Sequence, residues 1–227
     1  MSVVGIDGCK SGWIAVVLGD AGPVAARQEA HHLPTIEAVG EVVADAEVIG
    51  IDIPIGFSAT MPREADAAAR LVLGPRRSSV FLTPPREVLA AAPYAVANQL
   101  SIELTGHGIS RQAYGLAAKI FEVERWLPAA PCRVVEVHPE VTFTTMLGHP
   151  ATHSKKTWAG MVERRDALAR AGIVLDGPLG VAGASAAVDD VLDAAAVAWT
   201  ARRVAAGTAD CHPAGADVDV DAVAIWA

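Results

Sequence analysis

Five acidic side chains occur at positions where a fold could bring them together. Two of them directly follow short apolar runs that are typical of buried strands, and a third lies within another such run. The last two are three residues apart in an alanine-rich segment, so they would share one face of a helix. In chain order these residues are Asp7, Asp52, Glu136, Asp190 and Asp193.

Carboxylates gathered at one edge of a sheet repel one another unless a cation lies between them. Mg²⁺ or Mn²⁺, which prefer oxygen ligands, would remove that repulsion. Such a cluster suits two-metal hydrolysis of phosphate esters, in which one ion activates a water and the other stabilises the leaving oxygen. We therefore predict that the five acids are both metal ligands and catalytic residues, with Asp7 shared by the two ions.

Each acid also has a plain structural interpretation. Asp7 could only initiate a turn through its own side chain, and Asp189 or Asp190 could only cap a helix. Glu136 could instead pair with an arginine. Asp52 is harder to explain in this way, because a carboxylate that follows an apolar run and precedes a proline is not expected to lie free in solvent.

Basic and hydroxyl side chains could bind the phosphate groups of a substrate. Arginine forks and serine hydroxyls in one loop, two neighbouring lysines and a histidine at a strand end have suitable chemistry. A solvated loop, the wet face of a helix or a hydrogen-bonded histidine would show the same residue types. The predicted substrate-binding residues are Lys10, Arg76, Arg77, Ser78, Ser79, His138, Lys155 and Lys156.

The strands that must position these residues follow from the hydrophobic pattern. Residues 3–18 predict a hairpin with a glycine-rich turn, and residues 24–32 predict a third, edge-like strand. Residues 47–53 and 133–138 are typical of strands buried between helices. The alternating tail from Asp217 predicts a last short strand that ends at Trp226.

Helices are expected over residues 33–45, 62–73, 109–127, 157–171 and 187–207, with a loop rich in Pro, Ser and Arg over 74–86. The element order predicts an α/β fold with a mixed five-stranded sheet whose first three strands are antiparallel. We expect a single domain over residues 1–227, with a mainly helical insertion at about 55–131.

Composition limits the classes of protein to which the chain can belong. Its 227 residues are 52% hydrophobic, which predicts a well-filled core, and its net charge of −8 argues against a generally basic surface for nucleic acid. The net charge does not exclude a local basic groove. The chain lacks an export signal and an apolar run of ~18 to 20 residues, so we expect a cytoplasmic protein without a membrane span. The three widely separated cysteines predict free thiols. A homo-oligomer is possible.

Several short motifs together resemble the domain-of-unknown-function family 429 (DUF429). They occur in that family's order over nearly the whole chain, at residues 5–13, 51–56, 77–81, 136–140 with Phe143, 154–156 and 189–194. The family is regarded as a predicted nuclease of RNase H-like fold. The resemblance therefore implies an RNase H-like domain that hydrolyses phosphodiester bonds of nucleic acid, or acts on a nucleotide, with Mg²⁺ or Mn²⁺.

In RNase H-like nucleases the first strand, the fourth strand and the final helix each supply acids to the metals. By resemblance, Asp7, Asp52, Asp190 and Asp193 correspond to those ligands, with Glu136 as a further candidate. RNase H proper places a glutamate on the helix after the third strand. Neither Glu37 nor Glu41 lies in a recognised motif here, so the acids are closer to the Holliday-junction resolvase type.

Two other classes of function stay open at this point. The same fold occurs in actin-like proteins and sugar kinases, so a small-molecule phosphotransferase is one alternative, although those proteins normally contain two tandem copies of the fold. The other is a non-catalytic binding module in which the acids hold a structural ion or an arginine of a partner.

Overall fold

The computed structural model describes residues 2–19, 28–43, 45–59, 61–216 and 223–227, and seven strands lie in this part of the chain. They are β1 (Ser2–Cys9), β2 (Gly12–Leu18), β3 (Gln28–Leu33), β4 (Ala46–Ile51), β5 (Arg133–Val137), β6 (Cys211–His212) and β7 (Ile225–Trp226). They form one sheet in the order β3-β2-β1-β4-β5-β7-β6. β2 is antiparallel to β1 and β3, β6 is antiparallel to β7, and β4, β5 and β7 run parallel to β1.

The described helices are α1 (Val39–Val42), α2 (Glu64–Leu73), α3 (Arg86–Ala90), α4 (Tyr94–Thr105), α5 (Arg111–Gly115), α6 (Ala117–Trp126), α7 (Pro139–Leu147), α8 (Trp158–Arg170), α9 (Gly180–Ser185) and α10 (Val188–Ala205). Shorter 3₁₀ segments cover Ile36–Ala38, Gly74–Ser79 and Leu127–Ala129. No helix within the described residues is long and apolar enough to cross a membrane.

The predicted α/β fold is confirmed. The first three strands form an antiparallel unit, and β4 and β5 add to it in parallel, which is the arrangement that an RNase H-like fold implies. The predicted number of five strands is wrong for the described chain, because β6 and β7 extend the sheet beyond β5. β7 is the predicted last short strand that ends at Trp226, whereas β6 has only two residues, which is too short to produce a periodic sequence pattern.

Some predicted boundaries also differ from the structure. The predicted third strand began at residue 24 and the tail pattern at residue 217, but residues 20–27 and 217–222 lie outside the described part. The helix predicted over residues 33–45 is only a 3₁₀ turn followed by the four residues of α1, which ends where Val43 becomes extended. The helix predicted over 109–127 is interrupted after Gly115, where α5 ends and a new helix begins.

The segment between β4 and β5 is mainly helical, as predicted, and contains α2 to α6. Two of its helices, α3 and α4, have no counterpart in the sequence prediction. Part of this segment covers one face of the sheet, where Ile120 and Val123 of α6 pack in the same core as Val4 and Ile6 of β1.

The opposite face of the sheet packs on α10. Side chains alternate along β1, so Val3 and Asp7 point to the α10 face while Val4 and Ile6 point to the other. β4 has the same alternation, and its register with β1 places Gly50 beside Gly5. The residue two positions after each of these glycines is an aspartate. Because side chains two positions apart share a face, Asp7 and Asp52 lie on the α10 side of the sheet.

Two glycines let α10 lie directly on this face. A Cβ atom on Gly5 would lie 2.0 Å from the Ala198 nitrogen and 2.1 Å from the Ala194 oxygen, both backbone atoms of α10. A Cβ on Gly50 would lie 2.8 Å from Val197. Small residues on both elements therefore allow a close approach of helix and sheet, and this approach brings Asp193 of α10 near the ends of β1 and β4.

Candidate active site

Asp7 and Asp52 lie at the ends of two adjacent parallel strands. Ile6 is paired with Ile51, and the Asp52 nitrogen donates a hydrogen bond of 2.9 Å to the Ile6 oxygen. This bond extends the ladder by one residue, so both carboxylates emerge at the same sheet edge and on the same face. Asp7 is buried and Asp52 is half-buried. Within the described residues neither carboxylate accepts a side-chain hydrogen bond, and the positive charge that acts on both of them is that of Lys155.

The first turns of α10 supply three more aspartates. Asp190 Oδ2 accepts a hydrogen bond of 3.2 Å from the Ala187 nitrogen, so this residue caps the helix, as the plain structural interpretation predicted. Its side chain also lines the cleft into which Asp7 and Asp52 point. Asp193, one turn further along, has 0% of its side chain exposed and lies beneath the floor of the cleft. Asp189 lines the cleft beside Asp190.

Lysines from the segment between α7 and α8 neutralise part of this charge. Lys155 Nζ donates a hydrogen bond to Asp193 Oδ2 and lies 3.8 Å from Asp189 Oδ2. Lys156 Nζ donates a 2.5 Å hydrogen bond to Asp189 Oδ2. The two lysines thus face more carboxyl groups than they can neutralise. Another buried acid nearby, Glu140, is paired with Arg164.

Burial and mutual repulsion raise the pKa of the clustered acids. Burial is the main cause for Asp7, whose pKa lies well above its ordinary value, and Asp52 and Asp193 raise it further. Burial also raises the pKa of Asp52 to about 7 and that of Asp193 to about 6, although Lys155 opposes both shifts. The three residues therefore act on one another electrostatically across β1, β4 and α10, and additional positive charge would stabilise their ionised forms.

The donor set fits a divalent cation in its chemistry. Asp193 Oδ1 is buried without a hydrogen-bond partner in the described structure, and an unpartnered carboxylate oxygen beside other carboxylates is a hard ligand of the type that Mg²⁺ or Mn²⁺ prefers. Among the described residues, no three His, Cys, Asp or Glu side chains lie close enough together to hold a metal ion in this arrangement. Lys155 is the cation that contacts Asp193 in this arrangement.

Glu136 lines the same cleft as Asp7 and Asp52, but its side chain leaves the sheet on the other face. It alternates with Val135 and Val137, which pack on the α10 side, so its side chain points to the opposite face of β5. There the Arg63 guanidinium donates 2.7 and 3.1 Å hydrogen bonds to the two oxygens of Glu136, and the Ile55 nitrogen donates a third of 2.6 Å. Arg63 also binds Asp66 at 2.6 Å. This buried network joins the helical insertion to β5 and corresponds to the arginine pairing that the sequence left open.

A cleft of about 510 Å³ lies over the aspartates. Six of the eight predicted substrate-binding residues line it, namely Arg76, Ser78, Ser79, His138, Lys155 and Lys156. The other two, Lys10 and Arg77, are exposed to solvent and do not line the cleft. The position expected for Lys10 is taken by Lys119 of α6, whose Nζ donates a 2.6 Å hydrogen bond to the Gly12 oxygen and lies 4.0 Å from the centre of the Trp13 ring.

His138 presents a neutral ring at the wall of the cleft. Its Nε2 donates a 3.2 Å hydrogen bond to the Ser79 oxygen, which leaves Nδ1 as an acceptor, and Nδ1 is buried without a partner in the described structure. Burial lowers the pKa of this histidine, although its hydrogen bond to Ser79 and the charges of Glu140 and Asp193 oppose the shift. The strand-end histidine is thus tied to the serine loop that lines the opposite side of the cleft.

Sequence reasoning missed several charged residues that line the cleft, Glu140 and Lys119 among them. Glu140, in the first turn of α7, is the buried acid that follows β5 on the cleft side; it accepts a 2.5 Å hydrogen bond from Arg164, and Arg76 lies 3.6 Å from its other oxygen. Its motif neighbours were noticed, but its burial could not be read from the sequence. Lys119 gave no signal, because a single lysine on a helix is usually a solvated residue.

A family model described as "Protein of unknown function (DUF429)" matches residues 5–218. A solved structure described as "Thermus thermophilus RuvC structure" is similar at 14% sequence identity and a TM-score of 0.37, covering 92% of this chain and 98% of that chain. No curated protein sequence matches.

Proposed function

We propose that this chain, which belongs to the family of DUF429 proteins, hydrolyses phosphodiester bonds of nucleic acid with the help of a divalent cation, Mg²⁺ or Mn²⁺. The observation that carries the proposal is the convergence of Asp7, Asp52 and the fully buried Asp193, from three separate elements, beside a cleft that Asp7 and Asp52 line together with basic and hydroxyl side chains. Acids on one side and phosphate-binding groups on the other are what metal-dependent phosphate chemistry requires.

The residues that would hold the cation are Asp7, Asp52, Asp190 and Asp193. The bound ion would supply positive charge for the reacting phosphate group and would lower the pKa of water. Glu136 was also predicted as a ligand and catalytic residue; we leave it out of the proposed set because both of its oxygens are bound by Arg63. Lys155 holds the carboxylate of Asp193 in place and offsets its charge.

The opposite wall of the cleft is suited to the phosphate groups of the substrate. Arg76 lines this wall, and its Nε lies 3.6 Å from Glu140 Oε2 without a hydrogen bond in the described structure, so its guanidinium retains donors for a ligand. Ser78 is exposed and Ser79 half-buried at the same wall, and Lys156 extends from the other side with most of its side chain in solvent. These groups would bind phosphate oxygens while the aspartates keep the cation on the sheet side.

A cleavage assay tests the proposal. Purified protein is incubated with labelled single-stranded, duplex and branched DNA and RNA, with Mg²⁺, with Mn²⁺ or with EDTA. We expect cleavage only with a divalent cation. Asp7→Asn should lower the cleavage rate at least about 100-fold, because it removes a charged group of the site. Asp7→Asn should still fold, since burial already disfavours the ionised form of Asp7.

Asp176→Asn, a change at an exposed aspartate that does not line the cleft, is the matched control and should keep full activity. Unchanged cleavage in Asp7→Asn, or no cleavage of any substrate with either metal, would contradict the proposal. Nucleotide binding without cleavage would support the small-molecule phosphotransferase instead, and a metal that only raises the melting temperature would support the non-catalytic module.

The expectations of a cytoplasmic location and of a homo-oligomer stay predictions. So does the nature of the substrate, whether DNA, RNA or a free nucleotide, on which the substrate panel decides.

A further inference from the structure

Trp158 differs from the other tryptophans of the chain in its exposure. Trp13 and Trp126 are buried, and Trp199 and Trp226 are partly buried against the core, whereas 77% of Trp158 is exposed. A single exposed apolar residue is ordinary on a protein surface. The position of Trp158 makes it informative, because it begins α8 directly after the lysines that line the cleft.

The segment that carries Trp158 is held rigidly. Thr157 caps α8 by accepting a hydrogen bond from the Gly160 nitrogen and donates one of 2.8 Å to the Ser154 oxygen. The fully buried Arg164 donates a further 3.1 Å bond to the His153 oxygen. A Cβ on Gly160 would lie 2.0 Å from the Ser154 oxygen, so the helix start packs directly on this segment. The indole is therefore presented on a fixed backbone.

Trp158 does not line the cleft itself but follows the cleft-lining lysines closely in the chain, with a cation before it and another after it. One residue, Thr157, separates it from Lys156, so the Cα atoms of Trp158 and Lys156 are at most about 7 Å apart. The Lys156 side chain is 68% exposed and faces the cleft. On α8 itself Arg165, seven residues after Trp158, lies near the same helix face and is exposed. An exposed aromatic ring between two cations is the combination that binds single-stranded nucleic acid, through base stacking and phosphate contacts.

We propose that Trp158 stacks on an unpaired base of the nucleic acid whose backbone enters the cleft, so that the site selects single-stranded or unpaired segments. The inference rests on the proposed function for the identity of the ligand. Its physical reason is that the face of a base is available for stacking only when the neighbouring base is displaced, whereas in a duplex both faces are covered. Stacking is tolerant of sequence, so discrimination would concern strandedness and not base identity.

Equilibrium binding to a fluorescein-labelled 15-nucleotide oligothymidine and to a 15-base-pair DNA duplex tests the inference, in EDTA so that no cleavage takes place. We expect Trp158→Ala to raise the Kd for the single strand about tenfold and to change the Kd for the duplex less than twofold. Trp158→Phe should keep most of the single-strand affinity, because it retains an aromatic face. Leu71→Ala, at the most exposed leucine among the described residues, is the matched control and should change neither Kd.

An unchanged Kd for the single strand in Trp158→Ala, an equal loss for single strand and duplex, or no binding of either oligonucleotide would overturn the inference. So would loss of a dimer in light scattering with unchanged oligonucleotide binding, which would assign Trp158 to an interface between copies. The binding result does not depend on hydrolysis. If Trp158→Ala selectively loses single-strand binding but the protein cleaves nothing, the inference stands and the proposed function fails. If the protein cleaves nucleic acid but Trp158→Ala has no effect on binding, the proposed function stands and the inference fails.

Discussion

Lys155 binds one oxygen of the Asp193 carboxylate, while the other oxygen, Oδ1, is buried with no hydrogen-bond partner in the described part of the structure. The charge of Asp193 is therefore only partly compensated, although the residue is completely buried. A buried carboxylate in this state is costly in a protein that uses it only for stability. The relationship is understandable if the free oxygen is reserved for a cation.

Lys155→Met should destabilise the metal-free protein at pH 8 by about 2 kcal/mol. Breaking a buried ion pair costs about 3 to 5 kcal/mol, and the cost is reduced here because Lys155 is about one third exposed. The penalty should be smaller at pH 5, where Asp193, with a pKa of about 6, takes up a proton. Urea unfolding at the two pH values measures both effects.

The double variant Lys155→Met/Asp193→Asn is the control, because it removes the lysine and the charge that the lysine neutralises. It should recover most of the lost stability at pH 8. Equal destabilisation by Lys155→Met at pH 5 and pH 8, or no recovery in the double variant, would show that Lys155 acts through packing and not through the charge of Asp193.

Asp52 should make the metal-free protein less stable as the pH rises. Burial raises its pKa from 3.8 to about 7, so the folded state holds a proton that the unfolded state releases between about pH 4 and pH 7. Burial of Asp52 therefore does not lower the free energy of unfolding below about pH 4, and it lowers it by the full amount above about pH 7. Asp52→Asn should therefore raise the free energy of unfolding at pH 8 by about 2 kcal/mol and leave it nearly unchanged at pH 4. A gain that does not depend on pH would contradict this assignment.

Gly5→Ala should disrupt the contact between β1 and α10. The added methyl group would lie about 2 Å from two backbone atoms of α10, so the helix must move, at a cost of about 3 kcal/mol or more. Gly40→Ala is the control, because Gly40 is exposed in α1 and a Cβ there meets nothing within 4 Å. Thermal unfolding compares the two. Equal melting temperatures would contradict the close approach that positions Asp193.

Arg63→Met should be among the most damaging changes outside the cleft acids. It leaves Asp66 and Glu136 buried without their partner, which costs about 3 to 5 kcal/mol. Arg86→Met breaks an Arg–Glu pair of similar geometry with Glu124, but that pair is exposed, so its loss should cost much less than the loss of Arg63. Denaturant unfolding of the two variants measures the difference, and similar losses would refute the structural role of the Arg63 network.

The positions of Asp7 and Asp52 could be predicted because the signal is local. Each follows an apolar run, and parallel strands that end on carboxylates bring them to one edge of a sheet. The interpretation of Asp190 and Asp193 as residues of one helix likewise depends only on helical periodicity. The face of the sheet that this helix covers could also have been suspected from Gly5 and Gly50, but small residues alone do not identify the element that packs on them.

Glu136 and Lys10 show what could not be predicted. The alternation of Glu136 with two valines was visible, yet the face on which α10 packs is a property of the whole fold. Its partner Arg63 is 73 residues away in the chain, so no local pattern joins the two. Lys10 was expected to face the phosphate because it lies in the turn after Asp7, but the structure places Lys119 of the helical insertion there.

The central claim is that the aspartates of β1, β4 and α10 form a divalent-cation site, and Mn²⁺ binding followed by electron paramagnetic resonance tests it most directly. The account predicts that the wild-type protein binds Mn²⁺, that Asp7→Asn and Asp193→Asn weaken binding at least about tenfold, and that Glu136→Gln binds normally when folded, because Glu136 lies on the other face of the sheet. Absence of Mn²⁺ binding, or binding that survives Asp7→Asn unchanged, would contradict it.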